Sequence, residues 1–153
     1  MLMPLRNASI LQSRLLAYDD VGGTCAYMIK YTTDDKGLYL HHEWQDAVDN
    51  IYRCVKSDLL LINNDNFFIK YDSLFEALRR NSPFDSKGDQ ILWNGTLLDR
   101  TDKLTRLVDK YIAVGIRWDV VDTNFIEDLE DIFAEAGVPW STEPLVPIIV
   151  ADR

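Results

Sequence analysis

Between residues 57 and 83 the chain reads SDLLLINNDNFFIKYDSLFEALRRNSP, and no other stretch constrains the fold as tightly. Residues 59–62 are a short apolar run. Asn63, Asn64, Asp65 and Asn66 follow, residue types that tolerate left-handed backbone and hydrogen-bond locally, and so favour a turn. Residues 67–71 then alternate, with Phe67, Ile69 and Tyr71 on one face and Phe68 and Lys70 on the other. Two strand-like runs around a polar loop predict a β-hairpin. Ser73 with Glu76 three residues later is a capping box, which starts a helix. Leu74, Phe75 and Leu78 give that helix an apolar stripe. Arg79 and Arg80 suit the negative end of its dipole, Asn81 is a left-handed cap, and Pro83 stops it.

The same ββα pattern is predicted twice more. Residues 24–33 alternate, Asp34-Asp35-Lys36-Gly37 turns, and residues 38–42 return as a strand. Trp44, Ala47, Val48, Ile51, Tyr52 and Val55 then recur at helical spacing. Further on, Asn94-Gly95 between residues 91–93 and 96–98 is a strong hairpin signal, since both turn residues accept positive φ. Thr101 caps the next helix, whose stripe is Leu104, Leu107, Val108, Tyr111 and Ile112, and Gly115 ends it. Residues 7–18 carry a short helix before all of this. After it come a strand over 116–121, a helix that Asp122, Thr123 or Asn124 can cap and that Gly137 and Pro139 end, and an edge strand over 145–150 that Pro147 keeps from the sheet interior. The expected fold is α+β: antiparallel hairpins alternating with amphipathic helices (ββα-ββα-ββα, then β-α-β). At 153 residues this is a single globular domain over 1–153, large enough for its own core. The units share no sequence identity, so the repeat is one of architecture only.

Charge is the most informative part of the composition. Residues 1–117 hold 16 acidic and 15 basic side chains, whereas 118–153 hold 9 acidic and 1 basic. The C-terminal part therefore carries −8 of the net −9. Glu127, Asp128, Glu130, Asp131 and Glu135 fall opposite the apolar stripe of the last helix, and that helix has no lysine or arginine. Asp119 and Asp122 add to the region. Like charges at these spacings cost a few tenths of a kcal/mol each, so stability alone does not call for them. A solvated face that keeps the chain soluble is the plain alternative.

Other chemistry is thin. His41-His42-Glu43 on a strand would bring at most His41 and Glu43 together, too few for a transition-metal site, so no metal and no cofactor is expected. Asp85-Ser86-Lys87 lies in a polar loop, not on the strand that a nuclease-like Asp-x-Lys element needs. Trp93, Trp118 and Trp140 do not suggest direct nucleic-acid binding, because their neighbours Asp119 and Glu143 are acidic. Trp44 belongs to the core, and Trp118 and Trp140 suit interface anchoring. Cys25 and Cys54 read as small buried hydrophobes in a reducing compartment. With neither a signal-peptide pattern nor an apolar run of spanning length, a cytoplasmic protein is expected.

These features favour a non-enzymatic binding protein. It would be an inhibitor or neutraliser of a basic partner, a nuclease toxin or a DNA-binding protein, acting as immunity proteins or DNA mimics do. The partner-binding residues would be Asp119, Asp122, Glu127, Asp128, Glu130, Asp131 and Glu135, with Trp118 and Trp140 as anchors. The alternatives are a structural or adaptor domain, homodimeric through the 145–150 edge, or a small enzyme with an unrecognised site.

Overall fold

The computed structural model describes residues 1–18, 23–30, 32–33, 35–38, 40–63, 71–84 and 90–150. Among these the order is helix α1 (Leu5–Ala17), strand β1 (Gly23–Thr24), a 3-10 turn (Cys25–Met28), helix α2 (His41–Lys56), strand β2 (Leu60–Ile62), helices α3 (Leu74–Arg80) and α4 (Gln90–Gly95), strand β3 (Leu97–Arg100), and helices α5 (Asp102–Ile112) and α6 (Thr123–Glu135). The class is α+β, with helices dominating a small antiparallel sheet of order β1-β3-β2. Leu60 faces Arg100 and Ile62 faces Leu98, while Gly23 faces Leu98 from the other side. Among the described residues, no helix is long and apolar enough to cross a membrane.

One core joins every layer. Trp44, Ala47, Val48 and Ile51 of α2 are buried as their spacing predicts, together with Leu11 and Leu15 of α1, Leu98 of β3 and Phe125, Leu129 and Phe133 of α6. Each of the valine, leucine, isoleucine and phenylalanine side chains contributes about 1.5–3 kcal/mol by leaving water. Both cysteines are fully buried, and burial pushes the Cys54 thiol up to about 12. Trp44 donates its indole N–H to the Leu78 carbonyl at 2.9 Å, tying α2 to α3.

Three helices start at caps that the sequence offers. Ser73 Oγ accepts from the Glu76 amide at 3.1 Å, Thr101 Oγ1 from Leu104 at 3.2 Å, and Asp122 Oδ1 from Phe125 at 3.0 Å. Gly115 and Gly137 follow α5 and α6 with φ of +83° and +79°, backbone that a Cβ would strain. Asn81 departs from its predicted left-handed cap. Its φ is −124°, and its side-chain amide donates instead to the Ala77 carbonyl and the Tyr71 hydroxyl, both at 2.9 Å.

The predicted hairpins do not form where the structure describes them. Residues 25–28 wind into a 3-10 turn because Cys25, Ala26, Met28 and Ile29 are all buried, a pattern that alternation cannot satisfy. Residues 91–95 belong to a short helix for the same reason. Leu92, Trp93 and Thr96 are buried while Ile91 is exposed, and the Thr96 amide bonds back to the Leu92 carbonyl at 3.2 Å. His41 and His42 open α2 and end no strand. β2 pairs with β3, almost forty residues on, and the expected partner over 67–70 and most of its loop lie outside the described residues, as does Asp85-Ser86-Lys87.

Two further predicted strands are irregular segments held by side chains. Residues 116–121 bend around Gln12, whose side-chain amide donates to the carbonyls of Arg117 at 2.7 Å and Val120 at 2.8 Å. Residues 145–149 lie along α2 as a strap. Asp49 Oδ1 accepts from the Val146 amide at 3.0 Å, and Gln45 accepts from Ile148 and donates to the Val146 carbonyl, both at 2.9 Å. Ile149 then donates to the Arg79 carbonyl at 2.8 Å. Burial raises the Asp49 pKa against these bonds. With its amides committed in this way, the strap is not the open sheet edge that the alternative reading of a homodimeric domain called for.

Candidate partner-binding surface

The surface is built on α6 and the connector before it. Phe125, Ile126, Leu129 and Phe133 hold the helix against the core, and the Phe125 ring meets Tyr111 of α5 edge-on at 5.3 Å between centroids. Buried Gln12 fixes the other end. Besides its two carbonyl partners in the connector, its Oε1 accepts from the Asp122 amide at 2.8 Å. Gln12 thus locks the bend at 117–120 to the first turn of α6, as a strand partner otherwise would.

The seven carboxylates then separate by environment. Asp119 forms a forked pair with the Arg117 guanidinium at 2.8 and 3.0 Å, which lowers its pKa. Asp122 is the helix cap. Asp128 accepts from the Tyr111 hydroxyl and from Lys110 Nζ at 2.9 Å, and these donors hold it below the usual carboxylate range. Glu130 is only 7% exposed and accepts the amides of Leu2 (2.7 Å) and Met3 (3.1 Å). Glu127 faces solvent, with the N-terminal ammonium 3.3 Å away. Asp131 and Glu135 are exposed and, among the described residues, have no hydrogen-bond or ion-pair partner.

This corrects one expectation. The acidic face is not left uncompensated by the front of the molecule, because Lys110, Arg117, Tyr111 and the N-terminal backbone all reach it. Glu130 turns inward, although the helical wheel put it opposite the apolar stripe. What remains toward solvent is a stripe of Glu127, Asp131 and Glu135, at successive i, i+4 positions along α6. None of the compensating partners could be seen from the helix alone. The amides that Glu130 accepts lie more than 120 residues away in the chain.

Apolar groups flank the stripe. Trp118 is 71% exposed at the N-terminal end of α6, with Val114 and Val120 exposed on the same connector. Leu2 is 70% exposed, held beside the middle of α6 by its amide bond to Glu130. Exposed apolar side chains grouped beside charge are a common sign of an interaction surface. Trp140 is not part of this group. It is half-buried against the core and lines a cleft with Pro4 and Arg53. Trp93 is buried and donates to the Asn81 carbonyl at 2.6 Å, so it offers no face to a ligand.

Glu43, from the His-His-Glu run, has both oxygens occupied by Thr32, which donates its amide at 2.9 Å and its hydroxyl. Among the described residues, no three His, Cys, Asp or Glu side chains are grouped to hold a metal ion. No family model matches the chain, and neither does any curated protein or solved structure.

Proposed function

We propose that the chain is a non-enzymatic binding protein that neutralises a basic partner, a nuclease or a DNA-binding protein, by docking α6 and its preceding connector on the partner's nucleic-acid site. One observation carries this reading. Glu127, Asp131 and Glu135 present negative charge along a helix without a single lysine or arginine, and exposed Trp118 stands at its end. Charge of this kind speeds encounter and sets orientation, and a desolvated tryptophan supplies affinity once contact is made. A cytoplasmic location belongs to the same proposal and is supported by the two free, buried thiols.

The two contributions separate kinetically. For a basic protein that co-purifies with the chain, Glu127→Lys, Asp131→Lys and Glu135→Lys together slow association and flatten its salt dependence. Trp118→Ala leaves association nearly unchanged and speeds dissociation about tenfold or more. Stopped-flow mixing at several salt concentrations reads both. Rates indifferent to all four substitutions would remove this surface from the function.

A further inference from the structure

A cavity of about 180 Å³ lies between α1, α2 and the extended segment after the 3-10 turn. Each element gives it one face. From α1 come Arg6, Asn7 and Ile10, one turn of helix. From α2 come His42, Glu43, Asp46 and Asn50, again on one side. Met28, at the end of the 3-10 turn, and Lys30 and Thr32 after it line the third wall.

Some polar groups of this wall are matched within the fold. Glu43 accepts one bond from Thr32 on each oxygen, and Asp46 pairs with Arg6 at 3.4 Å. Asn7, only 7% exposed, has its Oδ1 buried without a hydrogen-bond partner. Lys30 is exposed at the rim and, among the described residues, has no carboxylate partner. An orphaned buried acceptor is rare in a folded chain and calls for a donor. Asn7 thus brings an unmatched buried acceptor to the cavity wall and Lys30 an unmatched cation to its rim, while Met28 and Ile10 give the lining apolar surface.

We infer that this cavity binds a small amino or hydroxy acid with a short apolar side chain. Its carboxylate would meet Lys30, its amino or hydroxyl group would donate to Asn7 after a small rotation of the carboxamide, and its side chain would cover Met28. The site is independent of the α6 surface, so either can stand without the other.

The test is an amide NMR titration of the full chain with four probes: leucine, its hydroxy-acid analogue, the corresponding acid lacking the donor, and the amine lacking the carboxylate. Leucine or the hydroxy acid, at millimolar concentration, shifts the resonances of Asn7, Met28, Lys30 and Asn50 saturably. Which of the two binds tells whether the donor is an ammonium or a hydroxyl. The truncated acid and amine bind at least about tenfold more weakly. Lys30→Met, at an exposed position that the fold does not need, weakens binding by a similar factor. The inference is overturned if no probe moves these resonances, if the truncated pair bind equally well, or if Lys30→Met binds unchanged.

Discussion

Glu130 and Glu135 sit on the same helix and read alike in the sequence, yet they do different work. Glu130 accepts two backbone amides from the start of the chain, whereas Glu135 faces water. Glu130→Ala leaves those donors without their charged acceptor and lowers stability by about 2 kcal/mol. Glu135→Ala changes it by less than about 0.5 kcal/mol. Urea unfolding of the two variants measures the contrast, and equal values would contradict the assignment. Asp128 gives a second residue-scale prediction. The Tyr111 hydroxyl, and after it Lys110, holds its folded pKa below the unfolded value of about 3.9. Its contribution to stability is therefore complete above that unfolded value and is lost as pH falls through the folded one. Tyr111→Phe removes the largest cause, so the Asp128 carboxyl titrates closer to the ordinary value, as a carboxyl-resolved NMR titration would show. An unchanged titration would mean that the hydroxyl does not act on it. Neither role was legible in the sequence, because Leu2 and Tyr111 reach these carboxylates only through the fold.

Among the elements, what could be read in advance depended on how local the cause was. Helix starts at Ser73, Thr101 and Asp122 were legible because a cap needs only a side chain and an amide three residues on. The buried stripes of α2, α5 and α6 were legible because periodicity is a property of the segment itself, although Ile112, placed on the α5 stripe, is exposed at the end of its helix. Hairpins were not. Residues 25–29 and 91–96 alternate or turn convincingly on paper, but their burial does not alternate, with Ala26, Met28 and Ile29 buried beside exposed Tyr27 and Leu92 and Trp93 buried beside exposed Ile91. Strand pairing also proved non-local, with β2 choosing β3 as its partner. The connector at 116–121 reads as a strand because its apolar residues suit one, yet its polar backbone is served by Gln12. Gln12→Leu keeps much of the bulk and removes all three bonds. It speeds hydrogen exchange at the Asp122 amide by at least about tenfold and costs about 1–3 kcal/mol. Retained protection at Asp122 would show that the connector holds its shape without Gln12.

For the molecule as a whole, the candidate surface was legible in part. The excess of acid in residues 118–153 is plain from composition, and five of its nine carboxylates lie on α6. Its compensation by Lys110, Arg117, Tyr111 and the N-terminal backbone was hidden, so only Glu127, Asp131 and Glu135 remain as the solvent-facing stripe. The proposal of a basic partner now rests on these three carboxylates and Trp118. Quantitative co-purification from native lysate tests it most directly, with the wild-type chain compared against the Glu127→Lys, Asp131→Lys, Glu135→Lys variant at low and high salt. The account predicts one basic nuclease or DNA-binding protein enriched on the wild type at low salt, weakened at high salt and lost from the variant. A set of bound proteins that is the same for both chains, or enrichment that ignores salt, would contradict it.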